Sequence, residues 1–427
     1  TGNHKVILSG SGDQTISFHD PGSGRSCFAN LELNNSSGVI TFASRTVVTG
    51  EIYNNIAIEP VNSVNLSPAK AAVINGGSWP WDLGIHEDWN LQQDLNIAGD
   101  LKQINGTFSL NSYNLSLGGD YYLENGMCDI DSQSLTISDK LQHTGGILRV
   151  NGGSVNIGGD YLLVAEGGTG YSNGYLKMLD SADTVVVDGN FHIDANDHLG
   201  DLTDGVLEVK GDFTQESSSP GSYSRRAFHV AGNHRVILSG SGDQTISFHN
   251  PGAGSSCFAN LELSNTGTLT FATKVPVTVE LINNMVSEPV NSSKLYLEGS
   301  AGIDGGSWPW DISVYENWTL PYDISIDGDY YFRGSSINDL AGNNLQIGGT
   351  LYHSDGQLKI NGGTLNVAGN YLLDAEGGTG YSSGYLKMLD PADTVIVDGD
   401  FHIDANDHHG DLTDGVLEVK GDFTQES

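Results

Sequence analysis

The sequence predicts an all-β chain: a single continuous β-solenoid of about 20 coils, with roughly three short strands in each coil. Three observations predict it. The 57 glycines separate short apolar runs such as Val185–Val187, a texture typical of short strands joined by tight turns. No long segment has the periodicity of an amphipathic helix. A short motif also recurs at a nearly constant spacing along the chain. Because the coils are longer and less regular than those of hexapeptide left-handed helices, a right-handed parallel β-helix is the favoured form.

The chain contains one long repeat in two copies. The segment Val6–Phe18 recurs without a change as Val236–Phe248. Phe191-His192-Ile193 recurs at Phe401-His402-Ile403, and the offset between these two positions is shorter than the offset from Val6 to Val236. The second copy therefore lacks about 20 residues, which is the length of one short motif.

The short motif defines the coil. It reads apolar-x-apolar-x-Gly-Asp/Asn-apolar, and four consecutive copies start at evenly spaced positions, Leu95, Leu115, Leu135 and Val155. A fold that can lose one such unit and keep its register is one in which each unit contacts only its neighbours. We expect three strands per coil, for example Tyr121–Leu123, Cys128–Ile130 and Leu135–Ile137.

The domain organisation follows from the repeat. Residues 1–230 form the first long repeat of the solenoid, and residues 231–427 form the second, which is one coil shorter. The Ser-rich segment between them resembles a linker. However, the motif glycines on its two sides, Gly211 and Gly232, have ordinary coil spacing. We therefore expect no true linker.

The motif also predicts which side chains point inward. In Leu365-Asn366-Val367-Ala368, alternation places Leu365 and Val367 in the core and the other two outside. The Gly-Asp or Gly-Asn that follows predicts a corner in which glycine has a positive φ and the Asx side chain bonds nearby backbone. Asn-Gly-Gly, at Asn75, Asn151 and Asn361, predicts a second corner. The segment Glu166–Tyr171, repeated at Glu376–Tyr381, predicts a protruding loop.

The charge excludes several partners. The formal net charge is −35, from 53 acidic and 18 basic residues. A nucleic-acid partner is excluded because such binding needs a basic surface. No apolar run is long enough to predict membrane insertion. Strong acidity favours a soluble, self-repelling surface and leaves room for divalent cations.

The best candidate site in the sequence is an acidic loop that occurs once in each long repeat. Calcium takes six to eight oxygen ligands, so calcium is the one cofactor that these loops suggest. The alternative is a solvated loop that keeps the protein soluble. The candidate ligands are Asp194, Asn196, Asp197, Asp201 and Asp204 in the first copy, and Asp404, Asn406, Asp407, Asp411 and Asp414 in the second.

Tryptophans form the second candidate site. Trp79 and Trp81, with their counterparts Trp308 and Trp310, are the most concentrated aromatic residues. Exposed rings could stack on the sugars of surface glycans. The alternative, which we favour, is that they fill the core, because Trp side chains are mostly buried.

No catalytic constellation stands out, and we predict that the chain is not an enzyme. Lys177 with Asp180 and Asp183 comes nearest to the acid–base cluster of a polysaccharide lyase or hydrolase. The same three residue types recur in the second copy as Lys387, Asp390 and Asp393. Duplication of the whole group is more natural for a structural role.

The segment His4–Leu33, with Gly-Ser-Gly-Asp-Gln-Thr-Ile-Ser-Phe and then Cys27-Phe28-Ala29-Asn30-Leu31, resembles repeats in large bacterial surface proteins. The Gly-Asp/Asn coils are similar to those of β-helical adhesins of the filamentous-haemagglutinin kind. The resemblance covers nearly the whole chain and implies a bacterial protein that is extracellular or on the cell surface. It supplies no catalytic residues.

These features together predict a structural or adhesive solenoid, a segment of a fibre or of a long cell-surface protein. The chain starts and stops inside a repeat, so we expect a piece of something longer, or a subunit that associates with itself end to end. The alternatives are a carbohydrate-binding β-helix that uses the tryptophans and, third, a polysaccharide lyase or hydrolase.

Overall fold

The computed structural model describes residues 3–219, 223–375 and 381–426. The protein is all-β, only 3% helical, and its parallel stacked coils form a β-solenoid of about 20 turns, as the sequence predicts. The chain divides into two compact units, unit 1 (Thr1–His234) and unit 2 (Arg235–Ser427). This division lies close to the predicted repeat boundary at residue 230.

The described residues of unit 1 form 27 short strands and three short 3-10 turns, Ser63–Asn65, Asn75–Gly77 and Tyr223–Arg226. The strands are β1 (Lys5–Gly10), β2 (Gln14–Ile16), β3 (Asn30–Asn35), β4 (Ile40–Phe42), β5 (Thr46–Val48), β6 (Glu51–Asn54), β7 (Leu66–Pro68), β8 (Val73–Ile74), β9 (Ser78–Trp79), β10 (Leu83–Ile85), β11 (Trp89–Asn90), β12 (Leu95–Ile97), β13 (Leu101–Gln103), β14 (Thr107–Ser109), β15 (Leu115–Leu117), β16 (Tyr121–Leu123), β17 (Met127–Asp129), β18 (Ser134–Ile137), β19 (Leu141–His143), β20 (Gly145–Arg149), β21 (Ser154–Ile157), β22 (Tyr161–Leu163), β23 (Asn173–Lys177), β24 (Thr184–Val187), β25 (Phe191–Ile193), β26 (Val206–Val209) and β27 (Phe213–Gln215).

Unit 2 repeats this pattern, with 23 strands and two 3-10 turns in its described part, Ser292–Lys294 and Asp304–Gly306. The strands are β28 (Arg235–Leu238), β29 (Gln244–Phe248), β30 (Phe258–Leu263), β31 (Leu269–Phe271), β32 (Val275–Asn283), β33 (Leu295–Leu297), β34 (Gly302–Ile303), β35 (Ser307–Trp308), β36 (Ile312–Val314), β37 (Trp318–Thr319), β38 (Ile324–Ile326), β39 (Tyr330–Phe332), β40 (Ile337–Asp339), β41 (Asn344–Ile347), β42 (Leu351–His353), β43 (Gln357–Lys359), β44 (Thr364–Val367), β45 (Tyr371–Leu373), β46 (Tyr385–Lys387), β47 (Thr394–Val397), β48 (Phe401–Ile403), β49 (Val416–Val419) and β50 (Phe423–Gln425).

Most coils of unit 1 contribute one strand to each of three parallel sheets. Sheet A is β9-β12-β15-β18-β21-β24-β26, sheet B is β10-β13-β16-β19-β22-β25-β27, and sheet C is β11-β14-β17-β20-β23. Successive strands pair without a shift in register, so that Leu101 lies opposite Tyr121 and Tyr121 opposite Leu141. The three predicted strands of the coil at residue 121 are confirmed, with the second one residue earlier than predicted.

Unit 2 has the same three sheets, called A′, B′ and C′. They contain β35-β38-β41-β44-β47-β49, β36-β39-β42-β45-β48-β50 and β37-β40-β43-β46. Within the described residues, sheet A′ has one strand fewer than sheet A. The deletion that the sequence predicts is therefore the removal of one whole coil. The strands on either side of the deleted coil pair directly with each other and keep their register.

Apolar side chains from the three sheets fill the inside of the coils. The predicted alternation is confirmed at Leu365 and Val367, which are at most 1% exposed, while Asn366 and Ala368 point outward. Burying a Val or Leu side chain completely contributes roughly 1.5–3 kcal/mol to the free energy of folding. Because the neighbouring coils cover these side chains, each coil depends on its neighbours for this stabilisation.

The Gly-Asp and Gly-Asn corners differ from the prediction in one respect. Among the described residues, Gly232 is the only glycine of the Gly-Asp and Gly-Asn corners that has a positive φ. In the Asn-Gly-Gly corners, Asn151 and Asn361 themselves have a positive φ, at 52° and 50°. Glycine is needed before the aspartate because coils lie close together there. A Cβ on Gly119 would be 2.2 Å from Oδ1 of Asp100, one coil below.

Asx side chains at this corner link each coil to the next. Oδ1 of Asp82 accepts a hydrogen bond from the backbone N–H of Asp100 at 2.8 Å. Asp100 accepts in turn from Asp120 at 2.8 Å, and Asp120 from Lys140 at 3.1 Å. The same ladder continues from Asp160 to Asn190 to Asp212, and in unit 2 from Asp311 to Asp329 to Thr350 and from Asn370 to Asp400 to Asp422. The ladder ends at Lys140, because a lysine side chain has no oxygen that could accept a hydrogen bond from the next coil.

Candidate functional site

The first two residues of the acidic loop in unit 1 are engaged by other parts of the protein. The carboxylate of Asp194 is fully buried and accepts hydrogen bonds from the backbone N–H and the hydroxyl of Ser218. The Oδ1 atom of Asn196 accepts a hydrogen bond from the hydroxyl of Tyr171. Both side chains therefore fasten the loop to neighbouring segments.

The other three predicted ligands of this loop also have partners. Asp197 forms an ion pair with Arg226, and Asp201 lies 2.9 Å from Nζ of Lys177. Asp204 accepts a 2.9 Å hydrogen bond from the backbone N–H of the next residue. The loop is thus held by cations of the chain and by its own backbone.

The second acidic loop is arranged similarly. Asn406 accepts a hydrogen bond from Tyr381, and Asp411 lies 3.1 Å from Lys387. Asp407 and Asp414 accept hydrogen bonds from backbone N–H groups one or two residues further on, and Asp404 is half-buried.

Across residues 3–219, 223–375 and 381–426, no group of three or more His, Cys, Asp or Glu could hold a metal ion. The predicted ligands of the two loops are not part of any such group there, and a calcium site stays a prediction.

The tryptophan pairs lie partly in the core. Trp79 and Trp308 are fully buried, and each donates its indole N–H to the backbone carbonyl three residues later, at 3.1 Å. Their rings cannot offer a face to a sugar, so the glycan prediction is corrected for these two. Trp81 and Trp310 are half-buried and pack edge-on against them, at centroid distances of 5.5 and 5.3 Å.

Asp183, which the sequence singled out as the nearest approach to a catalytic carboxylate, is a structural residue. It is fully buried, and its Oδ2 accepts hydrogen bonds from the backbone N–H groups of Leu179 and Asp180, at 2.7 and 3.1 Å. Its Oδ1 accepts one from Gly152, one coil below. Asp393 makes the same three bonds in unit 2. Backbone donors therefore occupy three of the about four acceptor positions of this carboxylate.

Several buried histidines are structural and were not identified from the sequence. His143 lies 3.1 Å from the hydroxyl of Tyr161 inside the coil, and burial lowers the pKa of its imidazole to about 3. Nε2 of His198 accepts the backbone N–H of Leu176 at 3.0 Å, and its Nδ1 donates to the carbonyl of Asn196 at 2.7 Å. Burial lowers the pKa of His198 as well. The Phe-His-Ile strand that precedes His198 alternates between inward and outward side chains, but His198 lies outside this strand. Its burial could therefore not be predicted from the sequence.

A concave surface on the outside of sheet B is the candidate functional site. We call it the Tyr122 groove; its cavity is about 450 Å³, within the ~300–1,000 Å³ range of small-molecule sites. Its lining residues are Val64, Asp82, Asp100, Lys102, Tyr122, Glu124, Lys140, Gln142, Thr144, Leu162 and Glu166–Gly168.

The floor of the Tyr122 groove follows from the register of sheet B. The middle residue of each three-residue strand points outward, and the paired strands place Lys102, Tyr122, Gln142 and Leu162 in one column. The Asp corner ladder runs along one side of this column. Carboxylates flank the column because Gly-Asp stands directly before three of these four strands, β13, β16 and β22; before β19 the corner residue is Lys140.

Loops close the two ends of the Tyr122 groove. Glu166–Gly168 at one end belong to the predicted protruding loop, which is described in unit 1; in unit 2 its counterpart, residues 376–380, lies outside the described residues. Gln142 supports the base of the unit 1 loop, since its Nε2 lies 3.3 Å from the carbonyl of Val164. Val64, in a 3-10 turn, lines the other end.

Ion pairs hold the side chains of the floor in place. The Tyr122 hydroxyl donates to Oδ2 of Asp120 at 2.8 Å, and Lys140 lies 3.0 Å from the same oxygen. Lys102 pairs with Glu124 at 2.8 Å. Burial, with the hydrogen bond to Asp120, raises the pKa of Tyr122 to about 12, so the hydroxyl remains a donor at neutral pH.

Two carboxylates of the groove keep an unused oxygen. Oδ1 of Asp82 and of Asp100 is engaged in the corner ladder, and among the described residues neither has a partner for Oδ2. Burial raises the pKa of Asp100, and the neighbouring charges of Asp82 and Asp120 raise it further. The groove therefore offers acceptors from these two residues and donors from the lysines.

The described residues contain no helix that is long and apolar enough to cross a membrane. Comparison with protein-family models, with curated proteins and with solved structures found no match for this chain.

Proposed function

We propose that this protein is a structural or adhesive β-solenoid of the extracellular space or the cell surface. The observation that carries the proposal is the Asx ladder, for example Asp82 to Asp100 to Asp120, in which one coil's side chain bonds the next coil's backbone. Most charged groups on the outer faces are engaged in holding loops and neighbouring coils.

The mechanism of such a protein is mechanical. Backbone pairing between coils and the Asx ladder add up along the chain, and each coil depends on its two neighbours. This arrangement resists local opening, because a coil that opens would lose contacts on both of its faces. The net charge of −35 supports solubility at high local concentration. The extracellular location is supported by the resemblance to bacterial surface repeats.

Self-association through a coil surface is part of the proposal. A coil face presents backbone groups that pair with a neighbouring coil, and a coil from a second copy of the protein could supply that neighbour.

The first test of this proposal is immuno-electron microscopy of the cells that produce the protein. Label on the outer surface or on extracellular fibres supports it, and label confined to the cell interior would overturn it. Sedimentation velocity over a hundredfold concentration range tests self-association. We expect oligomers that grow with concentration; a protein that stays monomeric throughout refutes self-association.

A further inference from the structure

We propose that the Tyr122 groove is a binding site for a neutral oligosaccharide. The inference rests on the proposed surface role, and it names the ligand class that an adhesive solenoid would recognise through unit 1. Its first support is position: the groove lies on the outer face of sheet B, about 450 Å³ in volume and closed at both ends by loops.

The charges of the groove select against anionic ligands. The carboxylates of Asp82, Asp100, Glu124 and Glu166 outnumber the lysines in the lining, and the whole chain carries −35. A uronic acid or a sulfated sugar would therefore be repelled. Lys102 and Lys140 are each paired with a carboxylate, Glu124 and Asp120, so they do not offset this repulsion. An uncharged ligand does not meet it.

The polar atoms of the groove suit hydroxyl groups. Sugar hydroxyls both donate and accept hydrogen bonds. The free Oδ2 atoms of Asp82 and Asp100 would accept from them, and the ammonium groups of Lys102 and Lys140 would donate to them. These four side chains lie on both sides of a single aromatic ring. Hydrogen bonds to ionised groups are the stronger ones, which suits a ligand without charge of its own.

Tyr122 supplies the apolar contact. Its hydroxyl is fastened to Asp120 at 2.8 Å, so the ring is held in one orientation before a ligand arrives, which reduces the entropy lost on binding. Leu162, two coils further along the column, adds a second apolar surface. Aromatic side chains with a polar tip are well suited to such a mixed surface.

Unit 2 provides a matched control. Tyr331 belongs to the same Gly-Asp-Tyr-Tyr sequence as Tyr122, and its hydroxyl lies 3.4 Å from Oδ2 of Asp329. However, its ring is stacked on Tyr352, at 4.8 Å and 4°, and the guanidinium of Arg333 lies 4.7 Å from its centroid. The Tyr331 ring is thus covered by the protein's own side chains, so its removal should not affect a ligand in unit 1.

The test is calorimetric titration of the full chain with neutral di- to tetrasaccharides of glucose, mannose and N-acetylglucosamine. Oligogalacturonate and spermine serve as the anionic and cationic probes. We expect at least one neutral oligosaccharide to bind, with affinity at least tenfold weaker in Tyr122→Ala and within twofold of wild type in Tyr331→Ala. Asp100→Asn, which keeps the ladder oxygen, should weaken binding severalfold.

Hydroxyl-radical footprinting of the wild-type protein gives a second readout that does not depend on a variant folding. Bound sugar should protect Tyr122 and leave Tyr331 unchanged. The proposal is overturned if no neutral oligosaccharide binds at millimolar concentration, if a charged probe binds better, or if both tyrosine variants lose binding equally. Such a failure, in a protein that still labels at the cell surface and self-associates, would leave the proposed structural function intact.

Discussion

The carboxylate of Glu298 accepts a 2.6 Å hydrogen bond from the backbone N–H of Ala253, and Lys274 lies 3.0 Å from its other oxygen. Lys274 also lies over the rings of Tyr296 and Tyr315, at 4.8 and 5.1 Å from their centroids. This cluster anchors the Pro-Gly loop of unit 2 to the coils beneath it.

Unit 1 anchors the equivalent loop from a different coil. There, Glu87 accepts from the backbone N–H of Ser23 at 3.0 Å and pairs with Arg45 at 3.2 Å. In the repeat alignment Glu87 corresponds to the exposed Glu316, and Glu298 to Ala69. The two copies of the repeat therefore keep the anchor of the loop although the residue that provides it has changed.

Glu298→Ala should destabilise unit 2 by about 3 kcal/mol, because it leaves a buried backbone N–H and a lysine without their partner. The control is Glu316→Ala, an exposed change that should stay within about 0.5 kcal/mol. Guanidinium unfolding, with hydrogen exchange of residues 250–256, measures both. Equal effects of the two variants would show that Glu298 is no anchor.

Acid should destabilise the protein through His143 and His353, whose imidazole pKa values are lowered to about 3 by burial. The unfolded histidine has a pKa near 6.5, so between these values the unfolded state binds more protons. The stabilisation is complete above pH 6.5 and decreases as the pH falls, by about 2 kcal/mol per histidine at pH 5.

The pH dependence is measured by guanidinium midpoints from pH 7 to pH 4, in wild type and in His143→Gln. Glutamine is accommodated at the same inward position two coils away, at Gln103. The variant should show a shallower loss of stability with acid. A variant that parallels the wild type would assign the loss to other groups.

Gly119→Ala should destabilise unit 1 by about 1–3 kcal/mol, because its Cβ would lie 2.2 Å from Oδ1 of Asp100 and would force the corner apart. Gly12→Ala is the control, since nothing lies within 4 Å of the added carbon. Thermal unfolding compares the two. A tolerated Gly119→Ala would mean that the coils can separate at the corner without cost.

Asp183→Ala should cost about 2–3 kcal/mol by leaving buried backbone donors unpaired. Asp180→Ala removes an exposed neighbour that accepts a single backbone bond, from Ala182 at 2.9 Å, and should cost much less. Hydrogen exchange at residues 179–183 localises the effect. If Asp183→Ala instead kept full stability, its three hydrogen bonds would not hold the corner.

The periodic part of this protein could be read from the sequence. Alternation in segments such as Leu365 to Ala368 indicates strands because side chains alternate between the two faces of a strand. The fixed spacing of the motif indicates the coil, and the loss of one coil follows from the changed offset at Phe401. These are local properties, and each coil repeats them.

The candidate site could be read only in part. The acidic loops were visible as runs of carboxylates, but the sequence could not show that Lys177 and Arg226 neutralise Asp201 and Asp197. The Tyr122 groove gave no signal, because its lining residues come from several coils and each residue of its floor belongs to a different coil. The motif implied that the floor residues point to the same side of sheet B. It did not show that loops lie at the two ends of this column.

The sequence by itself determined the solenoid: the strands, the coil length, the inward columns and the two unequal copies, since each depends on the period of a strand or of a coil. Only the tertiary structure decided which polar groups are buried or free. Asp183 is held by three backbone donors, Trp79 is enclosed, and Asp100 uses only one of its oxygens in the corner ladder. The physical reason is that hydrogen-bond satisfaction depends on atoms from adjacent coils, and the sequence does not specify their positions to within a bond length.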